Sequence, residues 1–376
     1  MPSSIGSGKV ANLAEKRRGP PLAWVGWAFL SFLAVVTVSY IASKAWSNPI
    51  LFLQNVLDGL KLGFVYALIA LGYTMVYGIV KLINFAHGDI FMVGAFTSFY
   101  AVSRFSLHQW PAAVFPGIAP AVSVVIGSLT VVLLSMLVCT LLAVTIERVA
   151  YKPLREAPRI AALITSIGVS FFLEFFGALP FVYTGRFIPY KAPFPTTAWY
   201  IKDGIHPIVA GTASPDNTIS FSNIFLFIAA ASILVQILLQ WIVKKTKVGI
   251  AMRAASYDKS TARLMGINVD RVISFTFAIG AAFAGLGGVL YAIAYSSIWS
   301  QLGILPGLKA FVAAVLGGIG SIPGAFVGAL IMGQAEAMTM SYISTPMRDA
   351  VAFAILIVVL LVKPTGLFGE PSGEKA

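Results

Sequence analysis

Long apolar runs recur along this chain of 376 residues, and they restrict what it can fold into more than any other feature. A helix that crosses a bilayer needs about 20 mostly apolar residues. Runs at 22–42, 51–80, 90–103, 118–146, 160–183, 224–243, 272–295, 306–318, 324–340 and 350–362 approach or exceed that length. They predict an all-α integral membrane protein with about ten transmembrane helices, some of them broken or half-spanning. The chain is 58% hydrophobic and only 11% charged, against about 25% charged in a soluble domain. A soluble protein of this size could not hide so much apolar surface, and a disordered chain would be charge-rich and apolar-poor.

The first run follows a polar, basic start that carries Lys9, Lys16, Arg17 and Arg18. A signal peptide would have a shorter apolar core and a small-residue cleavage site, so the full-length run predicts a retained helix. The run at 51–80 poses the opposite problem. As a helix it would be about 45 Å long, beyond the ~30 Å hydrocarbon core. Its Gly59, Gly63, Gly72 and Gly78 predict a break or a strong tilt.

The organisation that follows is an N-terminal segment at 1–21, a membrane domain at 22–362 and a tail at 363–376. The two longest connections are 184–223, which is rich in Pro and Thr, and 244–271, which is strongly basic. Neither leaves room for a folded soluble domain. No Gly-x-x-x-x-Gly-Lys-Ser/Thr phosphate loop occurs, so the chain cannot be a nucleotide-driven motor by itself. Its net charge of +12 would suggest nucleic acid in a soluble protein. In a membrane protein it points instead to basic cytoplasmic loops and anionic lipid. With the N-terminus inside and ten crossings, 18 of the 26 Lys and Arg lie on the inner side. That predicts both termini in the cytoplasm and the 184–223 loop outside. Five crossings per half is odd, so a duplicated half would be inverted. Breaks at 84–88 and 303–307, each followed by a small-residue-rich helix, hint at such a repeat, although Gly and Pro also simply populate loops.

Several features could carry chemistry. The segment 249–268 is rich in helix formers and has an alanine stripe at Ala251, Ala254, Ala255 and Ala262; it is predicted to stop at Gly266. Too polar to span, it reads either as a helix docking into a groove on a partner or as an amphipathic connector on the headgroups. The glycine clusters at 280–288 and 317–324, with Gly317, Gly318 and Gly320, lack the strand and Lys of a phosphate cradle and read as close helix packing with irregular backbone. His87, Asp89, Glu174 and Glu336 are ionisable residues within apolar runs, with Asp58 and Lys61 nearer a membrane end. Such groups are functional candidates: they can hydrogen-bond broken backbone, line a pathway or couple protons. The single Cys139 supports no disulfide, His87, His108 and His206 lack metal-ligand spacing, and no catalytic constellation is readable.

Residues 83–89, Ile-Asn84-Phe-Ala-His87-Gly-Asp89, strongly resemble the conserved turn of LivH-type permeases of branched-chain amino acid ATP-binding-cassette transporters. So do 66–79 and 309–325, and the block 253–277 looks like the family's coupling loop. The match covers roughly 51–366. The resemblance implies a non-enzymatic pore subunit of a bacterial inner-membrane importer for branched-chain or related amino acids, working by alternating access. Its implied partners are a second permease, two cytoplasmic ATPase subunits and an external substrate-binding protein. ATP and Mg would be used by the ATPases, with no cofactor or metal on this chain. Arg253, Ala254, Ala255, Asp258, Arg263 and Gly266 then fall on the ATPase-coupling helix, and Asn84, His87, Asp89, Gly317, Gly318, Gly320 and Glu336 become candidates for the pathway or its broken helices. Asp89 stands where Glu is usual, Glu174 is an extra acid, and the N-terminal extension and the 184–223 loop are longer than the family pattern. Related systems carry urea, short amides or aromatic acids. A self-sufficient proton-coupled carrier is the alternative suggested by Asp89, Glu174 and Glu336.

Overall fold

The computed structural model describes residues 23–155, 157–202, 204–208 and 218–369, and structural statements refer to these. The predicted N-terminal segment at 1–21, Leu22 and the tail beyond 369 lie outside them. The chain divides into two units, 1–52 and 53–376. In the first, α1 (Ala23–Ser47) runs five residues past the predicted end of its apolar run. Asn48 then caps the next helix: its Oδ1 accepts from the Leu51 amide at 3.0 Å, and Pro49 opens the helix.

That next helix, α2 (Pro49–Val80), is a single 32-residue helix. The predicted break inside it is absent, and its glycines have a different use. Gly72 lies against Gly280, Gly63 against Leu330 and Gly78 against Gly320, so they admit neighbouring backbones rather than bend their own. After the break at 81–86 comes α3 (His87–Ser103), which turns by 62° into a short helical segment, Leu107–Val114. Next are α4 (Pro120–Ile146), extended by a π turn at Glu147–Tyr151, and α5 (Arg159–Gly177), shorter than its predicted run to 183.

The Pro/Thr-rich connection holds the feature least visible in the sequence. Strands β1 (Ile188–Pro189), β2 (Ala198–Ile201), β3 (Ile205–Pro207) and β4 (Ile219–Ser222) form there, short additions to a membrane protein that is otherwise helical. The order β3-β2-β4 makes an antiparallel sheet, with Trp199 opposite Phe221. Then follow α6 (Asn223–Lys245), α7 (Lys247–Tyr257), α8 (Lys259–Leu264) and α9 (Val269–Tyr295). Strand β5 (Ser297–Ile298) pairs with β1. The chain continues through α10 (Ile304–Gly317), α11 (Ile322–Tyr342) and α12 (Met347–Val362). Ten of these described helices have fourteen or more residues. Five are long and apolar enough to cross a membrane, or six if the bent α3 pair is one span.

Packing inverts the soluble pattern. On α4 the small residues Ser123, Gly127, Ser135, Cys139 and Ala143 face inward, while Leu129, Leu133, Leu137 and Leu141 face out. Ser135 Oγ donates to the Gly94 carbonyl at 2.6 Å, and Gly285 of α9 lies against Cys139. Backbones approach because side chains are small, and hydroxyls join them.

The two breaks meet. A Cβ on Gly88 would strike the Gly303 carbonyl and come within 3.1 Å of Gly307 Cα. The predicted second break at 303–307 begins at Gly303, but Pro306 and Gly307 lie in the first turn of α10 rather than before it, where a missing amide costs nothing. Gly88→Ala is expected to destabilise the purified protein by about 1–3 kcal/mol through overpacking against backbone that cannot yield. Thermal melting in detergent checks this, with Gly117→Ala, which meets open space, expected to leave the midpoint unchanged. Lys309 is the buried cation between Glu336 and Asp349, 2.6 Å from each. Lys309→Met is expected to cost about 3–5 kcal/mol, because it strands buried carboxylate charge. Restoration in the double variant Lys309→Met/Glu336→Met, read by the same melt, would show that charge rather than packing is responsible.

Candidate functional site

Two cavities and one ion cluster contain some of the candidate residues: Ala255 and Asp258, Asp89 with Glu174, and Glu336. The first cavity lies under the basic 244–271 loop. The predicted single helix there is two, because Asp258 ends α7 and caps α8. Asp258 Oδ1 accepts from the Ser260 and Thr261 amides, and Oδ2 accepts from the Thr261 hydroxyl at 2.5 Å. Led by the Thr261 hydroxyl, these bonds hold the carboxyl below the usual carboxylate range. The cap is therefore in place above the ordinary carboxylate range and is lost only as pH falls through that depressed value. Thr246 caps α7 through the Gly249 amide, and Gly266, at φ +83°, closes the segment in the left-handed region.

The alanine stripe turns inward. Ala255 and Ala262 are buried in this chain's own core and Ala254 is half-buried, so the small residues serve internal packing. What the loop shows to solvent is Tyr257, Leu264 and Met265, which are 96%, 87% and 78% exposed, among Arg253, Asp258 and Arg263. Arg253 reaches the Val243 carbonyl, and Lys259 Nζ donates to the Val80 carbonyl at 3.2 Å.

Beneath this loop is a cavity of about 390 Å³ lined by Tyr151, Arg155, Ala255, Asp258 and Lys259, among others. Fully buried Glu147, in the π turn after α4, pairs with Arg155 and accepts from Ser274 Oγ at 2.6 Å. Arg155 also pairs with Asp270, which Lys152 and Arg263 approach at 3.6 and 3.8 Å. None of Glu147, Arg155 or Asp270 was singled out from sequence. Their signal was weak: each sits at the edge of an apolar run, where a charge is ordinarily solvated.

The second cavity, about 140 Å³, opens where the starts of α3 and α10 meet α5. Asp89 and Glu174 line it with Ser170, which donates from Oγ to Asp89 Oδ2. The same hydroxyl lies 3.4 Å from Glu174 Oε1. His87 is close in sequence but plays another part: its ring packs edge-on to Tyr73, with centroids 4.8 Å apart, beneath Gly72. Asn84 is buried, and its Oδ1 accepts from Tyr151 OH at 2.7 Å.

Gly317, Gly318 and Gly320 form the turn between α10 and α11 and line neither cavity. Gly318 and Gly320 have φ of +106° and +100°, and the Leu367 and Phe368 amides donate to the Leu316 and Gly317 carbonyls. Glu336 is likewise closed off. It accepts from Tyr66 OH at 2.8 Å and pairs with Lys309, and Arg348 bridges it to Asp349 at 3.8 and 3.5 Å. Among the described residues, no group of three or more His, Cys, Asp or Glu is placed to hold a metal.

Comparison with known proteins places this arrangement. Residues 55–360 match the family described as branched-chain amino acid transport system / permease component. The high-affinity branched-chain amino acid permease LivH of Salmonella typhimurium strain LT2 is 39% identical over 339 residues, covering 86% of this chain and 97% of the relative. LivH of Escherichia coli K12 is 39% identical over 333 residues, with the same coverage. BraD of Pseudomonas aeruginosa is 39% identical over 325 residues, covering 86% and 98%. No solved structure matches the fold. A family match across more than three quarters of the chain, on a fold of apolar helices broken at the resembling motifs, shows that this multi-pass membrane protein belongs to the branched-chain amino acid transport system permease family.

Proposed function

We propose that this chain forms part of the translocation pathway of an ATP-binding-cassette importer for branched-chain or related apolar amino acids. The observation that carries this reading is the continuous match at 55–360, supported by relatives whose names state that transport. The chain carries no phosphate loop, so ATP and Mg act in separate cytoplasmic ATPase subunits, two per transporter. A second, related permease completes the pathway, and an external binding protein delivers the substrate. The protein resides in a bacterial inner membrane.

Ten crossings would use all ten of the long described helices, including those of fourteen to seventeen residues as broken or half-spanning elements. The two halves fit an inverted repeat: α2, a break and α3 correspond to α9, a break and α10, with the paired helix starts packed together at Gly88 and Gly303. The excess of Lys and Arg on one side supports a topology with both termini, and the basic 244–271 loop, in the cytoplasm. The small β3-β2-β4 sheet then faces the binding protein. Lys259 and Arg155 connect the loop to the ends of α2 and α4, so a push from the ATPases has a mechanical route into the bundle. The acids do not form a row that a proton relay would need, because Glu336 is neutralised by Lys309 in a cluster separate from Asp89 and Glu174.

Purified chain alone in liposomes is expected to give no leucine accumulation under a pH gradient. Adding the second permease, the ATPases and the binding protein should give uptake that depends on ATP. Accumulation by the chain alone would refute the importer reading. The double variant Leu264→Glu/Met265→Glu alters only exposed apolar side chains. It should melt like the parent protein yet lose at least about tenfold of ATP-driven uptake, since interface hot spots each contribute 2 kcal/mol or more. Unchanged uptake would remove this surface from the coupling role.

A further inference from the structure

We propose that the 140 Å³ cavity between α3, α5 and α10 is a subsite for a primary ammonium group, the α-ammonium of an apolar amino acid, held by Asp89 and Glu174. The cargo class rests on the importer reading above; the cationic chemistry rests on the cavity itself.

Asp89 is only 1% exposed, yet among the described residues its buried Oδ1 accepts no hydrogen bond of ordinary geometry. Its other oxygen takes the Ser170 hydroxyl, which also approaches Glu174. One hydroxyl has a single proton to share between the two carboxyl groups, and the Tyr73 hydroxyl is the other one in the lining, so neither acid has a cationic partner there. Among the described residues no Lys, Arg or His lines the cavity; its remaining walls include Tyr73, Phe85, Ile167, Phe171 and Leu308. Carboxylates in such surroundings call for an external cation with several donors. The protein's other buried acids show the contrast: Glu336 has Lys309, and Glu147 has Arg155.

A primary ammonium fits this demand. It brings one positive charge and three donors, and its apolar substituent would rest on the aromatic and aliphatic walls. The first turn of α10 forms the facing side through Gly303, Ile304 and Gly307, where a helix start favours the carboxylate of the same zwitterion. A bare metal cation would use the acids but not the apolar walls.

The test uses a reporter thiol in the cavity wall, Ile167→Cys, against the single native Cys139, which is buried. Alkylation of the purified permease in nanodiscs is timed with leucine, with 4-methylvalerate (its deaminated counterpart), with sodium chloride and with choline chloride. Leucine is expected to slow alkylation saturably, and the other three are not. Asp89→Asn should weaken that protection about tenfold or more, whereas Asp89→Glu should retain it. If Asp89→Asn does not fold, Glu174→Gln takes its place.

Equal protection by 4-methylvalerate would overturn ammonium recognition, and protection by sodium would make the occupant a metal ion. No protection by leucine, in a chain whose complete transporter imports leucine, would overturn the subsite alone. Protection by leucine in a chain whose complete transporter fails to import it would support the subsite and count against the importer reading alone.

Discussion

Two chain breaks packed backbone to backbone determine the rest of this structure. Within a bilayer an interrupted helix leaves amides and carbonyls that lipid cannot satisfy. Here the interruptions before α3 and α10 are placed against each other, where Gly88, Gly303 and Gly307 bring the two segments of backbone close. The neighbouring elements adapt to that contact. α2 passes unbroken behind it with glycines at its own crossings, and α9 presses Gly288 onto the Phe91 carbonyl of α3. Little of the stability of such a core can come from expelling water, since the surroundings are as apolar as the interior. It has to come from close packing and from bonds such as Ser135 to Gly94, and both require small residues at the crossings.

Buried charge then sorts into two kinds. The cost of removing a carboxylate from water is several kcal/mol even after relaxation, and it is recovered only by a well-placed partner. The Lys309, Glu336 and Asp349 cluster meets that condition with two contacts of 2.6 Å and ties α10, α11 and α12 together. Glu147 meets it with Arg155 at the end of α4. Asp89 and Glu174 do not, and they lie in the wall of a cavity at the paired breaks. The distinction matters for function because a satisfied cluster resists change, whereas an unsatisfied pair is a place where an arriving cation alters the local energy.

Much of this was legible in the sequence, and the failures have physical causes. Helix existence followed from apolar length, and eight of the ten long helices begin and end within three residues of their runs; α1 runs five residues past its run and α5 stops at Gly177, six residues short. The β strands at 198–222 escaped notice because strands of three or four residues in a Pro/Thr-rich loop lack a period long enough to see. Of the break or strong tilt that the glycines of α2 predict, the break is absent, since spacing alone does not say whether a glycine bends its own helix or admits another. The alanine stripe of 249–268 was a true signal of close approach, but the surface approached is the chain's own core. Glu336 was visible as a charge in mid-helix; its partner Lys309 was not, because the pairing joins residues on different helices.

The same contacts suggest how a push at one end reaches the breaks. α7 and α8 are kinked at Asp258, and Lys259 just beyond the kink donates to the last residue of α2, Val80. The six residues that follow are the first break. Asn84 within it is held by Tyr151 of the π turn, and that turn also contains Glu147, gripped by Arg155. A displacement of α8 therefore acts on both sides of the segment 81–86, through α2 directly and through the π turn. That segment leads straight into His87, Gly88 and Asp89. His87 is wedged against Tyr73 and Gly72, so it cannot absorb the movement by turning freely. Gly88 is pressed on Gly303. The first break thus touches the second directly, and the cavity bounded by Asp89 on one and Gly303 on the other lies at that contact.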